Sequence, residues 1–353
     1  MEKKRVYYLD MARGIGVILM VLGHVPDLSV PTRRFVTSFH MPLFFVLSGM
    51  VICLTGECDR EMRTIRRRKA RSIMLPYAVF SALSLIVEAL CTGFLKNGTW
   101  EVFREHLFGT LCLAGESVFW FLPALFFGEL LFIALRKKIT GALCGVLTAV
   151  LAVLAYLAHV WENRLFAVYG TAVWGQYLHL FLNAFIRVFF AAAFVAIGYA
   201  GYRLIGKLSE KKLVNVLVGS ALLALTVWVS SINGITDMNY MVYENIFLYL
   251  ITSVAGSFGV ILLCRAAEGM QQTIPARICR YYGRNSLIVM MTHATLYIMY
   301  IAARFTYGVN NHIFPLNQIL LCGGMTCMVL LIEIPVIEVL NRYFPFLLGK
   351  KRK

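Results

Sequence analysis

Apolar runs near the length of a bilayer crossing recur along almost the whole chain, and nothing constrains its fold more. A helix needs about 20 mostly apolar residues to cross the hydrocarbon core. Such runs lie at about residues 7–26, 36–54, 73–93, 117–135, 140–159, 182–203, 213–232, 243–264, 285–306 and 316–340. A hydrophobic content of 59% and a mean hydropathy of +0.73 suit no water-soluble globule. A membrane β-barrel would show short segments of alternating polarity, and none stands out. The expected fold is all-α, a polytopic membrane helical bundle of about ten transmembrane helices. MEKKRV followed by an apolar run has the outline of a signal peptide. No small-residue cleavage site follows, so it is read as a retained first helix.

The charge orients the bundle. With the N-terminus inside, 26 of the 34 Lys and Arg residues fall in cytoplasmic segments, and the net charge is +16. Those segments hold Lys3, Lys4 and Arg5, the stretch from Arg60 to Arg71, Arg136 to Lys138, Arg203 to Lys212, Arg265 to Arg284, and Arg342 with the KKRK tail. Outer segments hold Arg33, Arg34, Lys96, Arg104, Arg164 and Arg304. This asymmetry satisfies the positive-inside rule and places both termini in the cytoplasm. Dispersed over every inner loop, the charge argues against nucleic acid as a partner. The nine cysteines include no C-x-x-C and no Cys/His ligand spacing, so no metal site is expected. One membrane domain over 1–345 and a basic cytoplasmic tail at 346–353 describe the organisation. Segment 94–116 suits an interfacial or re-entrant helix, and the aromatic-rich segment 160–181 suits an outer interface belt.

Arg13 and His24 stand eleven residues apart in the first run. Eleven residues are close to three helical turns, so the two share one face, separated by a rise of about 16 Å. A charge at bilayer depth is costly, about 2.5–3.5 kcal/mol on insertion scales. That face offers a fixed cation near one side and a titratable base much deeper, a combination able to hold an anionic donor and move a proton. The plainer readings are an Arg13 that snorkels while paired to Asp10, and a His24 at the outer interface. His40 opens the second run in SFHMPLFF, close to the level of His24, with Pro42 in the first turn. It reads equally as a functional histidine or as a core histidine bonded to a backbone carbonyl. Arg68 and Arg71 are neighbours if helical, and guanidinium forks suit phosphates. Ordinary inner-face charge accounts for them as well. Glu129, Arg187, His293 and Glu333 lie within expected spans and read as structural, with Arg187 a partner for either glutamate.

Five pieces together resemble the acyltransferase-3 family: YLDMARGIGVILMVLGH with Arg13 and His24, SFHMPLFFVLSGMV, RKARSIMLPY with Arg68 and Arg71, WFLPALF, and GRNSLIVMMTH at 283–293. The resemblance covers essentially the whole chain. It implies a multi-pass enzyme of the cytoplasmic membrane that transfers an acyl group, usually acetyl, from cytoplasmic acyl-CoA to a hydroxyl on the far side. Surface sugars and polysaccharides are the usual acceptors. By that resemblance His24 and Arg13 are the expected catalytic residues and Arg68 and Arg71 the acyl-CoA site; His40, from its place in the sequence, is a candidate for substrate binding. Acyl-CoA enters as co-substrate, with no permanently bound cofactor expected. The bilayer, a homo-oligomer and polysaccharide-synthesis proteins complete the expected partners. Two other classes compete: a transporter or flippase of a glycan or small polar substrate, and a silent assembly subunit of a polysaccharide synthase.

Overall fold

The computed structural model describes residues 6–94, 98–139, 141–207 and 211–350. Lys3, Lys4, Arg5, Lys96 and the last three residues of the KKRK tail lie outside the described residues. The chain is all-α, a polytopic helical membrane protein. Among the described residues the only extended pairing is an isolated bridge between Asp237 and Val242. Among the described residues, eight helical runs are long and apolar enough to cross a membrane: Val30–Leu54, Met62–Phe94, Ser117–Lys138, Ala142–Tyr169, Val173–Gly206, Lys212–Ile232, Ile246–Ala266 and Gln318–Tyr343. The first expected run is helix α1, Tyr7–Gly23, at 17 residues. The expected run at 285–306 is not one helix. It is broken after Thr292 and resumes at Ile298.

The chain divides into two compact units, 1–47 with 204–340, and 48–203 with 341–353. In the first unit, α2 (Val30–Thr37) is separated from α3 (His40–Leu54) by a turn at Ser38–Phe39. Helices α10 (Lys212–Ile232) and α11 (Ile246–Ala266) pack through Gly219 and Gly259. A Cβ on either glycine would lie 3.1 Å from the carbonyl oxygen of the other. The Ser38 carbonyl accepts from Ser253 Oγ at 2.9 Å, and the Phe39 ring fills the space beside Gly256.

α1 lies against α12 (Ile274–Arg284) at backbone distance. A Cβ on Gly14 would sit 1.8 Å from the carbonyl oxygen of Cys279, and one on Gly283 would sit 1.9 Å from that of Asp10. Only residues without side chains permit that approach. Arg284 Nε donates to Asp10 Oδ2 at 3.4 Å beside the same crossing. Asn285 ends α12, and α13 (Ser286–Thr292) carries the chain onward alongside α1.

In the second unit, α4 (Met62–Lys69) passes through one π-helical stretch, Ala70–Met74, into α5 (Leu75–Phe94). α6 (Trp100–Leu111) has 12 residues, too few to cross a bilayer. α7 (Phe121–Lys138), α8 (Ala142–Tyr169) and α9 (Val173–Lys207) follow. α3 meets α9 at Gly49, where a Cβ would lie 2.0 Å from the Val195 carbonyl oxygen.

Candidate active site

His24 caps the C-terminal end of α1 and is exposed. Its Nδ1 lies 2.8 Å from the carbonyl oxygen of Met20. A carbonyl oxygen only accepts, so Nδ1 carries the proton and Nε2 is left as a bare lone pair. His40 repeats the device, with Nδ1 donating to Val36 O at 2.9 Å, and so does His293, donating to Val289 O at 2.7 Å. Each histidine is tied to the carbonyl four residues earlier, and each is thereby held as the Nδ1–H tautomer. His40 is buried at the start of α3 and lies within electrostatic reach of His24. Pro42 sits in the first turn, as the sequence indicates.

The loop that carries His24 is clamped by Arg33 of α2. Its guanidinium donates to the carbonyls of Gly23 at 3.1 Å, Val25 at 2.9 Å and Pro26 at 3.2 Å. Asp237, in the loop between α10 and α11, is also within electrostatic reach of His24. That carboxylate accepts from the backbone N–H groups of Asn239 at 2.7 Å and Tyr240 at 3.2 Å.

His293 stands beside His24, with ring centroids 5.0 Å apart and planes at 72°. Beyond Asn285, α13 lies alongside α1, and the two rings meet past its end. Arg13 lies on α1 within the glycine crossing, next to Gly14, and is half-buried. His293 follows the last residue of α13 in a chain break that ends at Tyr297, whose φ of 58° is costly for an aromatic residue.

Arg68 and Arg71 belong to the second unit. Arg68 ends α4, and its guanidinium pairs with Glu57 while its side chain stays 45% exposed. Arg71 is exposed on the π-helical stretch, and a Cβ at Gly349 would lie 2.0 Å from its carbonyl oxygen. π stretches are rare and frequent at functional sites. Beneath them Lys69 is buried, with Nζ 2.7 Å from Glu129 Oε2 and 3.4 Å from Glu57 Oε2. Ser48 Oγ donates to the other Glu129 oxygen.

Several of these groups escaped the reading of the sequence. Glu129 takes Lys69 and Ser48, and Glu333 takes the Thr292 hydroxyl at 2.8 Å. Arg187 donates to Asn183 O at 3.2 Å and lies over the Trp120 ring. The expected interface belt at 160–181 is two helix ends joined by a short turn, and it holds a hydrogen-bonded ladder. Asn163 donates to His159, His159 to Asn183, Asn183 to His179, and His179 to Glu162, over distances of 2.9–3.1 Å. Tyr169 donates to the same carboxylate. The spacing of His179, Asn183 and Arg187 at four-residue intervals is a signal for that ladder. The Glu88, His106 and Glu116 side chains form the one metal-capable trio among the described residues, their ligand atoms within 4.8 Å. There His106 Nδ1 already lies 2.8 Å from Glu88.

The helices and the oriented imidazoles define a multi-pass membrane protein equipped for proton transfer at a helix end. Residues 6–337 match the family model of the acyltransferase-3 acyltransferase domain. The chain belongs to that family and is a membrane acyltransferase. No curated protein and no solved structure matches it.

Proposed function

We propose that the protein is an O-acyltransferase of the cytoplasmic membrane that moves an acetyl group from cytoplasmic acyl-CoA to a hydroxyl of an extracytoplasmic sugar. The observation that carries the reading is the exposed His24, whose Nδ1–H is spent on Met20 O and whose Nε2 is free. A neutral imidazole with one nitrogen tied and the other open is a general base ready to act near neutral pH.

His24 Nε2 takes the proton of the acceptor hydroxyl as that oxygen bonds to the thioester carbonyl carbon. The tetrahedral adduct collapses, the C–S bond breaks with its electron pair on sulfur, and the CoA thiolate takes the proton from His24. Ester and thiol are formed, and the imidazole is neutral again. Arg13 offsets negative charge on the donor or on the developing oxyanion. Arg68 and Arg71 engage the CoA phosphates at the inner surface. The exposure of both guanidiniums supports that role, and Arg68 keeps donors to spare beyond its bond to Glu57. His40 helps to position the acceptor.

The test is to express His24→Ala and Arg13→Ala at matched levels and quantify acetyl esters on the host's surface glycan by mass spectrometry. Loss of the ester in each variant is expected. Unchanged esterification in both would refute the assignments. Release of CoA thiol from acetyl-CoA, dependent on added glycan, separates an acyltransferase of this kind from a transporter.

A further inference from the structure

His293 is completely buried, yet its Nε2 has no hydrogen-bond partner. The tautomer explains what kind of atom is stranded. Nδ1–H is committed to Val289 O, so Nε2 is a lone pair, an acceptor with nothing to accept. Burying such an atom costs free energy, and native proteins rarely leave one. A phenylalanine would fill the same space without that cost. The chain nevertheless places an imidazole there, at a helix break, against the ring of His24. Three separate features, the stranded nitrogen, the break and the ring contact, converge on one residue.

We infer that His293 is a positioning residue for the acyl transfer, its bare Nε2 lone pair acting through His24 to stabilise the imidazolium that forms when His24 deprotonates the acceptor hydroxyl. This rests on the proposed role of His24 as base. In the resting state both imidazoles are neutral, and their edge-to-face contact is ordinary aromatic packing. When the acceptor O–H bond breaks and its proton moves to His24 Nε2, the His24 ring becomes a cation with polarised ring hydrogens. The buried His293 ring, its centroid 5.0 Å from that of His24, then has a positive charge beside it for its Nε2 lone pair to stabilise. The charge disappears when the thiolate takes the proton, so His293 favours the transition state over the ground state. His293 itself neither gains nor loses a proton, and it touches neither substrate.

The test uses inside-out membrane vesicles from the host. [14C]Acetyl-CoA is supplied outside the vesicles, and label is counted in the luminal glycan, normalised to the amount of protein. His293→Phe keeps the ring and its packing and removes the lone pair. Its apparent kcat should fall about 10- to 100-fold, the worth of one interaction with a charged group, while the KM for acetyl-CoA stays unchanged. His293→Gln, which returns an acceptor oxygen, should recover part of the loss. A purely structural His293 would give the reverse order, Phe active and Gln impaired, and that result overturns the inference. If His293→Phe does not fold, His293→Ala is assayed with added imidazole. Rescue of kcat supports the inference, and a folded variant with normal KM and no rescue overturns it. His24→Ala run in parallel separates the two levels. An active His24→Ala sinks the underlying reading, whereas an inactive His24→Ala with a fully active His293→Phe sinks only the role of His293.

Discussion

Arg33 shows how little of a site is contained in its chemically reactive groups. Three carbonyls on either side of His24 converge on one guanidinium, which replaces the hydrogen bonds those groups lose where the helix stops. Lysine carries the charge but not the fork. Arg33→Lys should therefore reduce the initial rate of acetyl transfer about tenfold while shifting the thermal midpoint in detergent by only a few degrees. Equal rates for variant and parent would remove Arg33 from the site. Lys69 invites a different prediction. It neutralises Glu129 in a buried setting and shares Glu57 with Arg68, so Lys69→Met leaves the Glu129 carboxylate without its cation. Breaking such a pair costs about 3–5 kcal/mol, and the fall in thermal midpoint should be partly reversed by adding Glu129→Gln. At this scale Arg13 and His24 were legible because a helical phase needs only sequence spacing. His293 was read as structural because nothing in GRNSLIVMMTH reveals that one nitrogen stays unpaired or which ring lies beside it. Arg33 was read as loop charge for the same reason: its partners are carbonyls, which every residue has.

Helices are legible where apolar length alone decides, and less so where backbone geometry intrudes. Most expected runs are found within a few residues of their expected limits. The run at 285–306 misled because its break contains neither proline nor glycine: the chain turns at HATLY with Tyr297 in the left-handed region. The π stretch at Ala70–Met74 is equally silent in the sequence, since a widened turn needs one more residue per turn and no special residue type. The glycine crossing of α1 and α12 makes the sharpest prediction at this scale. Gly14→Ala and Gly283→Ala each drive a methyl group into a carbonyl oxygen on the facing helix and should destabilise by about 1–3 kcal/mol, with activity falling as His24 and His293 move apart. Gly323→Ala is the control. No atom lies within 4 Å of a Cβ at that helical position, and alanine is the better helix former. Thermal unfolding followed by fluorescence in detergent should rank the control at or above the parent and the other two below it.

For the molecule as a whole, the all-α membrane architecture was readable from the apolar runs, because only helices and closed barrels satisfy the backbone in lipid and the runs are too long and too uniformly apolar for barrel strands. The direction of insertion was read from charge alone and can be checked by charge-neutral chemistry. A single cysteine at Lys137 should be modified from the cytoplasmic side and one at Arg104 from the outside, in a cysteine-free background that retains activity. The opposite labelling pattern would invert the expected topology and bring acyl-CoA to the wrong end of α1. What composition could not foretell is the polar interior of the segment that resembled an interface belt. Every donor in the ladder from Asn163 to Glu162 points the same way, so each group's orientation depends on the one before it. Replacing His159, Asn183 or His179 strands two neighbours at once. Inheritance should then treat these positions as a single character: relatives keep the set, or exchange it wholesale for hydrocarbon, with few halfway forms surviving.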